Sequence, residues 1–315
     1  MIRYIAPLRY YTWSTHTVKR GVDPNMRQEQ LDGLGNMQGE AIAPLTGTRM
    51  GAGESGVVRP VVRWSGVSCE ERPDALAPEE PLEIRLAGRP LTVTMRTPGH
   101  DEDLVAGLLY AQELLRATDD LEDIARDPTQ PNRIDVRYST RVDGEERWRR
   151  YSYASSSCGV CGVESLEALT LNTPPITTEL RVRVSTLYGL DARLRASQES
   201  FGATGGIHAA ALFDPAGELL AAREDVGRHN AVDKVIGHAL RQGLVPLERY
   251  LLMVSGRIAY EIVQKALVAR IPIVAAVSAP TSLAVRVADE RGITLIGFLR
   301  GEHMNVYSHP ERVIV

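Results

Sequence analysis

The sequence predicts an α/β fold in which short apolar strands alternate with helices to give a sheet covered on both faces, preceded by a smaller α+β unit. Three observations predict it. From residue 207 onward, apolar runs of roughly four to eight residues alternate with longer stretches of helical period. Before them, strand-like segments flank one acidic-starting helix. The chain is also long enough for a sizeable core, with 315 residues, 43% of them hydrophobic and 24% charged.

Residues 1–58 are rich in Gly, Gln, Met and Thr, include GLGNMQGE and GAGESG, and hold no sustained period of 2 or 3.6. They are expected to be a disordered extension, with Met26, Met37 and Met50 as alternative starts. A small α+β domain is expected over 59–154, a mobile loop and helix over 155–172, and the α/β domain over 173–315.

Within the small domain, PLEIRLAGRPLTVTMRT reads as two strands about the turn Ala87-Gly88-Arg89. DEDLVAGLLYAQELLRA reads as a helix opening at Asp101, and RIDVRYS and ERWRRYSYA as further strands. The loop SSSCGVCG leads to a helix over about 163–171, which Pro174 and Pro175 follow. A helical stretch over 185–198 then leads to IHAAALF and ELLAARE, strands about Asp214-Pro215-Ala216-Gly217. The helix DVGRHNAVDKVIGHALRQG is expected to begin at Asp225 and close at Gly243. Strand YLLMVS, helix IAYEIVQKALVAR, strand IPIVAAVS, helix TSLAVRVADERG and strand ITLIGFL complete the order.

The net charge of −4 gives no electrostatic reason for bulk nucleic-acid binding. No apolar run approaches the roughly 20 residues of a membrane span, and the first residues lack the apolar stretch of a secretory signal. Three cysteines, Cys69, Cys158 and Cys161, make no disulfide framework. A cytoplasmic protein without nucleic-acid or membrane partners is expected.

Four segments carry chemistry. In Cys158-Gly159-Val160-Cys161-Gly162, glycines beside both thiols leave the backbone open. A following helix favours thiolate, and Arg147, Arg149 and Arg150 upstream add positive potential. Half of a zinc site and a redox dithiol remain alternative readings of the same loop. In Glu224-Asp225-Val226-Gly227-Arg228-His229-Asn230, a helical wheel puts Asp225, Arg228 and His229 on the arc of Val232, Ile236 and Ala239. A face that buries its apolar half and turns polar at one end either pairs its charges or lines a cavity.

The third segment is a set of strand ends: Ser255-Gly256-Arg257, Ser278 to Ser282, and Arg300-Gly301-Glu302. Ligands of open α/β sheets sit outside the carboxyl ends of strands, where helix N-termini hold anions. A phosphate-bearing ligand is therefore expected, without a GxxxxGK[ST] loop. The fourth is Thr204-Gly205-Gly206-Ile207-His208, where paired glycines permit close backbone approach or a bend. His208 reads as a structural histidine more readily than as a ligand.

Taken in order, CGVCG, TGGIHAAAL, EDVGRHNAVDK, SGRIAYEIVQKA, VSAPTSLAV and GFLRG resemble the formate dehydrogenase accessory sulfurtransferase family, FdhD, over residues 61–315. The resemblance implies a cytidine deaminase-like three-layer α/β/α domain behind the smaller α+β domain, and a homodimer. It implies that a cysteine desulfurase delivers sulfur as a persulfide on Cys158, with Cys161 as its partner cysteine. The sulfur then passes to the molybdenum bis-guanine-dinucleotide cofactor, bound as substrate, which makes that cofactor competent for formate dehydrogenase. The family's cofactor-binding segment falls on Phe298, Leu299, Arg300, Gly301, Glu302 and His303. Arg228, His229, Ser255 and Arg257 join them from the reading of helix and strand ends. Two other classes stand beside this one: a cofactor-binding chaperone without chemistry, and a zinc-dependent hydrolase or deaminase using Cys158, Cys161 and a histidine such as His208. The HxE and PCxxC deaminase signature is absent.

Overall fold

The structure, a computed structural model, describes residues 56–139 and 173–315, all within one unit of the chain. Residues 1–55 of the expected extension 1–58 and the CGVCG loop lie outside the described residues, as do the strand ERWRRYSYA and the helix over 163–171.

Two strands precede the small sheet. β1 (Val57–Ser65) and β2 (Ser68–Leu76) form a two-stranded antiparallel ribbon that the sequence reading did not foresee. Val58, Val62 and Trp64 are more than half exposed, so no inward-facing alternation marks these strands. β1 also begins ahead of the boundary expected at residue 59.

β3 (Glu80–Leu86) and β4 (Arg89–Arg96) form the expected hairpin. Ala87 at φ 46° and Gly88 at φ 79° give its tight turn the left-handed backbone that matches strand twist. With β5 (Leu121–Arg126) and β6 (Arg133–Tyr138) they make a four-stranded sheet in the order β4-β3-β6-β5. β5 escaped the sequence reading because no residue of LEDIAR is fully buried.

α1 (Asp101–Ala111) begins where expected but ends six residues before Ala117. Glu113 turns left-handed at φ 56°, and Leu114 N bonds back to Leu109 O at 2.9 Å, closing the helix. Leu114 and Leu115 remain buried after that stop, so the apolar period outlasts the helix.

The second half builds a six-stranded sheet in the order β13-β12-β11-β10-β8-β9. Its strands are β8 (His208–Phe213), β9 (Leu219–Asp225), β10 (Leu251–Val254), β11 (Ile273–Ala276), β12 (Thr294–Arg300) and β13 (His303–Ser308). β10, β11 and β12 run parallel, and the other three pair antiparallel at the two sides. Alternate residues serve opposite faces. Ala210, Leu212, Leu252, Val254, Val274 and Leu295 join one core cluster; Ala211, Phe213, Met253, Ile273 and Ile296 join the other. Burial on both faces makes these strands read as continuous apolar runs.

One face packs on α2 (Val184–Tyr188) and α3 (Leu190–Ala196), which follow the short β7 (Val182–Arg183); α4 (Glu199–Thr204) then leads to β8. The other face packs on α5 (Arg228–Arg241), α6 (Tyr260–Val268) and α7 (Ser282–Glu290). The chain ends in β14 (Val313–Ile314), parallel to β7. The α/β class with helices on both faces is therefore as expected. No helix among the described residues is long and apolar enough to cross a membrane.

The two sheets share a core through α1 and α5, which cross backbone to backbone. A methyl group at Gly107 would come within 1.8 Å of the Asp233 carbonyl oxygen, and one at Gly237 within 1.8 Å of the Asp103 carbonyl oxygen. Each helix needs a glycine at that crossing because no side chain fits between the two backbones.

Candidate functional site

The helix expected to begin at Asp225 begins at Arg228, with Gly227 as its N-cap. Asp225 is instead the last residue of β9, paired across the ladder with His208, the first residue of β8. It is fully buried and has four partners. Lys234 Nζ lies 2.7 Å away, Asn230 Nδ2 donates at 2.9 Å, and the backbone N–H groups of Gly227 and Thr97 donate at 2.8 and 3.1 Å. The polar end of the wheel is therefore real, but its carboxylate pairs with Lys234 rather than with Arg228.

That pairing leaves Arg228 without a counter-charge among the described residues. Beside it, β10 ends at Val254, and Ser255 extends the ladder with both its N–H and its hydroxyl. Ser255 N donates to Ala209 O, and Ser255 Oγ accepts from Ala209 N, each at 2.9 Å. Gly256 follows, buried, and a methyl group there would lie 3.3 Å from His208 Nδ1 and 3.5 Å from Arg228 Cβ. His208, Arg228 and the Ser255-Gly256 turn thus meet at one point on the carboxyl edge of the sheet. His229 in the first turn of α5 and Glu261 in the first turn of α6 complete the group, with His229 Nε2 3.9 Å from Glu261 Oε2.

Four side chains here have no hydrogen bond among the described residues: His208, Arg228, His229 and Glu261. Arg228 Nε and His229 Nε2 are buried and unpartnered. Burial, then Arg228, Lys265 and His208, push the His229 imidazole down to about 3, so it is neutral at physiological pH. Burial and Arg228 lower His208 as well. Directly behind, Lys265 Nζ binds both oxygens of Asp233, at 2.7 and 2.9 Å. Burial pushes the Asp233 carboxyl up to about 6 despite that lysine. Lys234 donates to Thr97 O at 2.9 Å and Glu224 O at 3.2 Å as well as holding Asp225. The deep charges neutralise one another, while the polar groups above them keep their bonding capacity. Buried polar groups are ordinarily satisfied, so this set is the candidate ligand site of the described residues.

The remaining candidates lie along the same edge. Arg257 is exposed and has no partner among the described residues. Two strands further, Phe298 N donates to Ser278 O at 3.1 Å, Arg300 Nε to Val277 O at 3.2 Å and Gly301 N to Asp191 Oδ2 at 2.9 Å. Phe298 at φ 55° and Gly301 at φ 52° bend the chain at the β12–β13 hairpin; Leu299 is buried and Glu302 and His303 are exposed. The structure thus gathers Arg228, His229 and Ser255 at one point and sets Phe298 to His303 at the ends of strands further along. Cys158, Cys161, Arg147, Arg149 and Arg150 lie outside the described residues.

Glu261, Lys234 and Thr97 were not foreseen, and His208 was read as structural. A first-turn glutamate is ordinary helix chemistry, and the Thr97–Asp225 contact joins residues far apart in sequence. Paired glycines before His208 were the one available signal.

The chain matches the family model of the FdhD/NarQ family over residues 77–314. The chain belongs to the FdhD/NarQ family. Among curated relatives, sulfur carrier protein FdhD of Streptomyces avermitilis is 48% identical over 270 residues, covering 81% of this chain and 94% of that protein. The protein of the same name from Mycobacterium tuberculosis is 48% identical over 255 residues, 77% of this chain and 92% of the relative. That of Saccharolobus solfataricus is 43% identical over 243 residues, 76% and 91% of the two chains. A solved structure of a candidate formate dehydrogenase accessory protein from Desulfotalea psychrophila shares the fold with a TM-score of 0.67. It is 24% identical and covers 82% of this chain and 99% of that one. The FdhD/NarQ match takes in the CGVCG loop, the side chains gathered around Gly256 and the segment Phe298–His303, and begins just after the β1–β2 ribbon.

Proposed function

We propose that this protein is a sulfur carrier and sulfurtransferase that loads sulfur on Cys158 and delivers it to a molybdenum bis-guanine-dinucleotide cofactor destined for formate dehydrogenase. The observation that carries the reading is the 48% identity, over four-fifths of the chain, to proteins named as sulfur carriers. In the first step, the Cys158 thiolate attacks the outer sulfur of a persulfide on a cysteine desulfurase. The donor's S–S bond breaks, its cysteine leaves as thiolate, and Cys158 holds the persulfide. Cys161 is assigned as its partner by motif match.

The cleft supports the acceptor side of the reading. A dinucleotide cofactor brings pyrophosphates and guanines, which call for cationic groups and free donors at strand ends. Arg228, uncompensated by Asp225, and Arg257 offer that charge, and Arg300 lies on the same edge with its Nε anchored to Val277 O.

Replacing Cys158 with alanine tests the proposal in the cell. The Cys158→Ala chain is expected to fold with an unchanged melting temperature and to leave formate dehydrogenase inactive. Full formate dehydrogenase activity with that variant as the sole copy overturns the proposal.

A further inference from the structure

The unpaired groups around Gly256 are not of one charge. Arg228 is cationic, but Glu261 brings a carboxylate into the same cleft, and a carboxylate repels phosphate. Its side chain is only 18% exposed, and the one basic group of the described residues within 4 Å of it, His229 Nε2 at 3.9 Å, is beyond hydrogen-bond reach. The His229 side chain is 10% exposed, with that nitrogen unpartnered. The two other carboxylates nearby are already saturated, Asp225 by Lys234 and Asn230, and Asp233 by Lys265. Among the described residues Glu261 is therefore the carboxylate of this group with acceptor oxygens still open, shielded enough from water that leaving them unused is costly.

We infer that Glu261, beside His229, accepts the paired N–H donors of a guanine base and is the residue that selects guanine in this cleft. An ionised carboxylate is acceptor-only and takes two parallel bonds from a planar pair of donors. Guanine presents such a pair, its ring N1–H and its 2-amino group. Hypoxanthine keeps only the first, and adenine turns a ring acceptor toward the carboxylate. Sites built to hydrogen-bond a substrate N–H reject analogues that lack it, because the protein group is left unpaired. The inference rests on the proposed binding of a guanine-dinucleotide cofactor and goes beyond it by naming what reads the base. A divalent cation between Glu261 and His229 is the rival occupant.

The test is titration calorimetry of the full chain with guanosine, inosine and adenosine diphosphates, on wild type and Glu261→Gln, with thermal melts as the folding control. Wild type is expected to bind the guanosine form about tenfold more tightly than the inosine form, with the adenosine form weaker still. Glu261→Gln is expected to bring guanosine and inosine forms to within about threefold, with affinity for the inosine form little changed. An unchanged preference in Glu261→Gln overturns the inference and leaves the proposed function standing, as does equal binding of the two forms by wild type, which needs no variant. Binding of none of the three diphosphates overturns both. One site for manganese or zinc alone, lost in Glu261→Gln with base preference intact, makes Glu261 a cation ligand and overturns the inference.

Discussion

Lys234 Nζ lies 2.7 Å from Asp225 Oδ2, and this buried pair, reaching from the second turn of α5 to the last residue of β9, leaves Arg228 uncompensated among the described residues. The lysine also donates to Thr97 O, so one side chain ties α5 to the segment between β4 and α1. Burial lowers the Lys234 pKa, and the Asp225 carboxylate beside it opposes that effect.

Lys234→Met strands a buried carboxylate, a loss of about 3–5 kcal/mol. The variant is expected to melt well below wild type, and pairing it with Asp225→Asn to recover part of the loss. Thermal melts of the single and double variants check this; no recovery in the double variant means that the pair does not act as a unit.

At the α1–α5 crossing, Gly107→Ala and Gly237→Ala each force a methyl group into a backbone carbonyl 1.8 Å away. Neither helix can yield without lifting the four-stranded sheet from the shared core. Each variant is expected to lose about 3 kcal/mol or more, or to fail to accumulate as folded protein. A near-wild-type denaturation midpoint for either contradicts the close crossing.

The acid side of the stability profile should carry the signature of His229. Burial, and after it the cations Arg228 and Lys265, push its folded pKa down to about 3 from the ordinary imidazole value of about 6.5. Between these values the unfolded chain binds the extra proton, so stability is full above about 6.5 and falls as pH drops toward 3. The slope from this one group approaches about 1.4 kcal/mol per pH unit. Asp233, raised to about 6, works in the opposite sense, so the comparison must be between wild type and His229→Asn. The difference between their denaturation free energies should widen from pH 4 to pH 7; a constant difference means that His229 is not held neutral.

Most of the large sheet was legible because strands buried on both faces have no choice but to be apolar throughout, as Leu251 to Val254 and Ile273 to Ala276 are. The β1–β2 ribbon was not, since exposed strands carrying Pro60, Pro73 and several charges leave no period to read. The site was half legible. Arg228, His229 and Ser255, expected from their place at helix and strand ends, are brought together by the fold. Asp225 was misplaced onto the helix, because only the pairing with His208 and the Thr97 N–H show that the strand runs that far. Glu261 carried no local signal at all; its meaning comes from which neighbours it lacks.

The three arginines give a graded prediction. A charge-assisted contact to phosphate contributes about 1.5–3 kcal/mol, so Arg228→Ala and Arg257→Ala should each weaken binding of guanosine diphosphate by about tenfold or more. Arg300→Ala should cost less, since its Nε already serves Val277 O. Affinity should also decline with added salt, less steeply than for exposed charges. Calorimetry across the variants decides it, and unchanged affinity in all three places the phosphates elsewhere.

The central claim is that Cys158 carries the sulfur, and intact-mass and peptide mass spectrometry after incubation with a cysteine desulfurase and cysteine test it most directly. The account predicts a gain of one sulfur atom, about 32 Da, located on the peptide containing Cys158, removed by a thiol reductant and absent from Cys158→Ala. Sulfur found only on Cys69, or none on Cys158 while the desulfurase turns over, would contradict it.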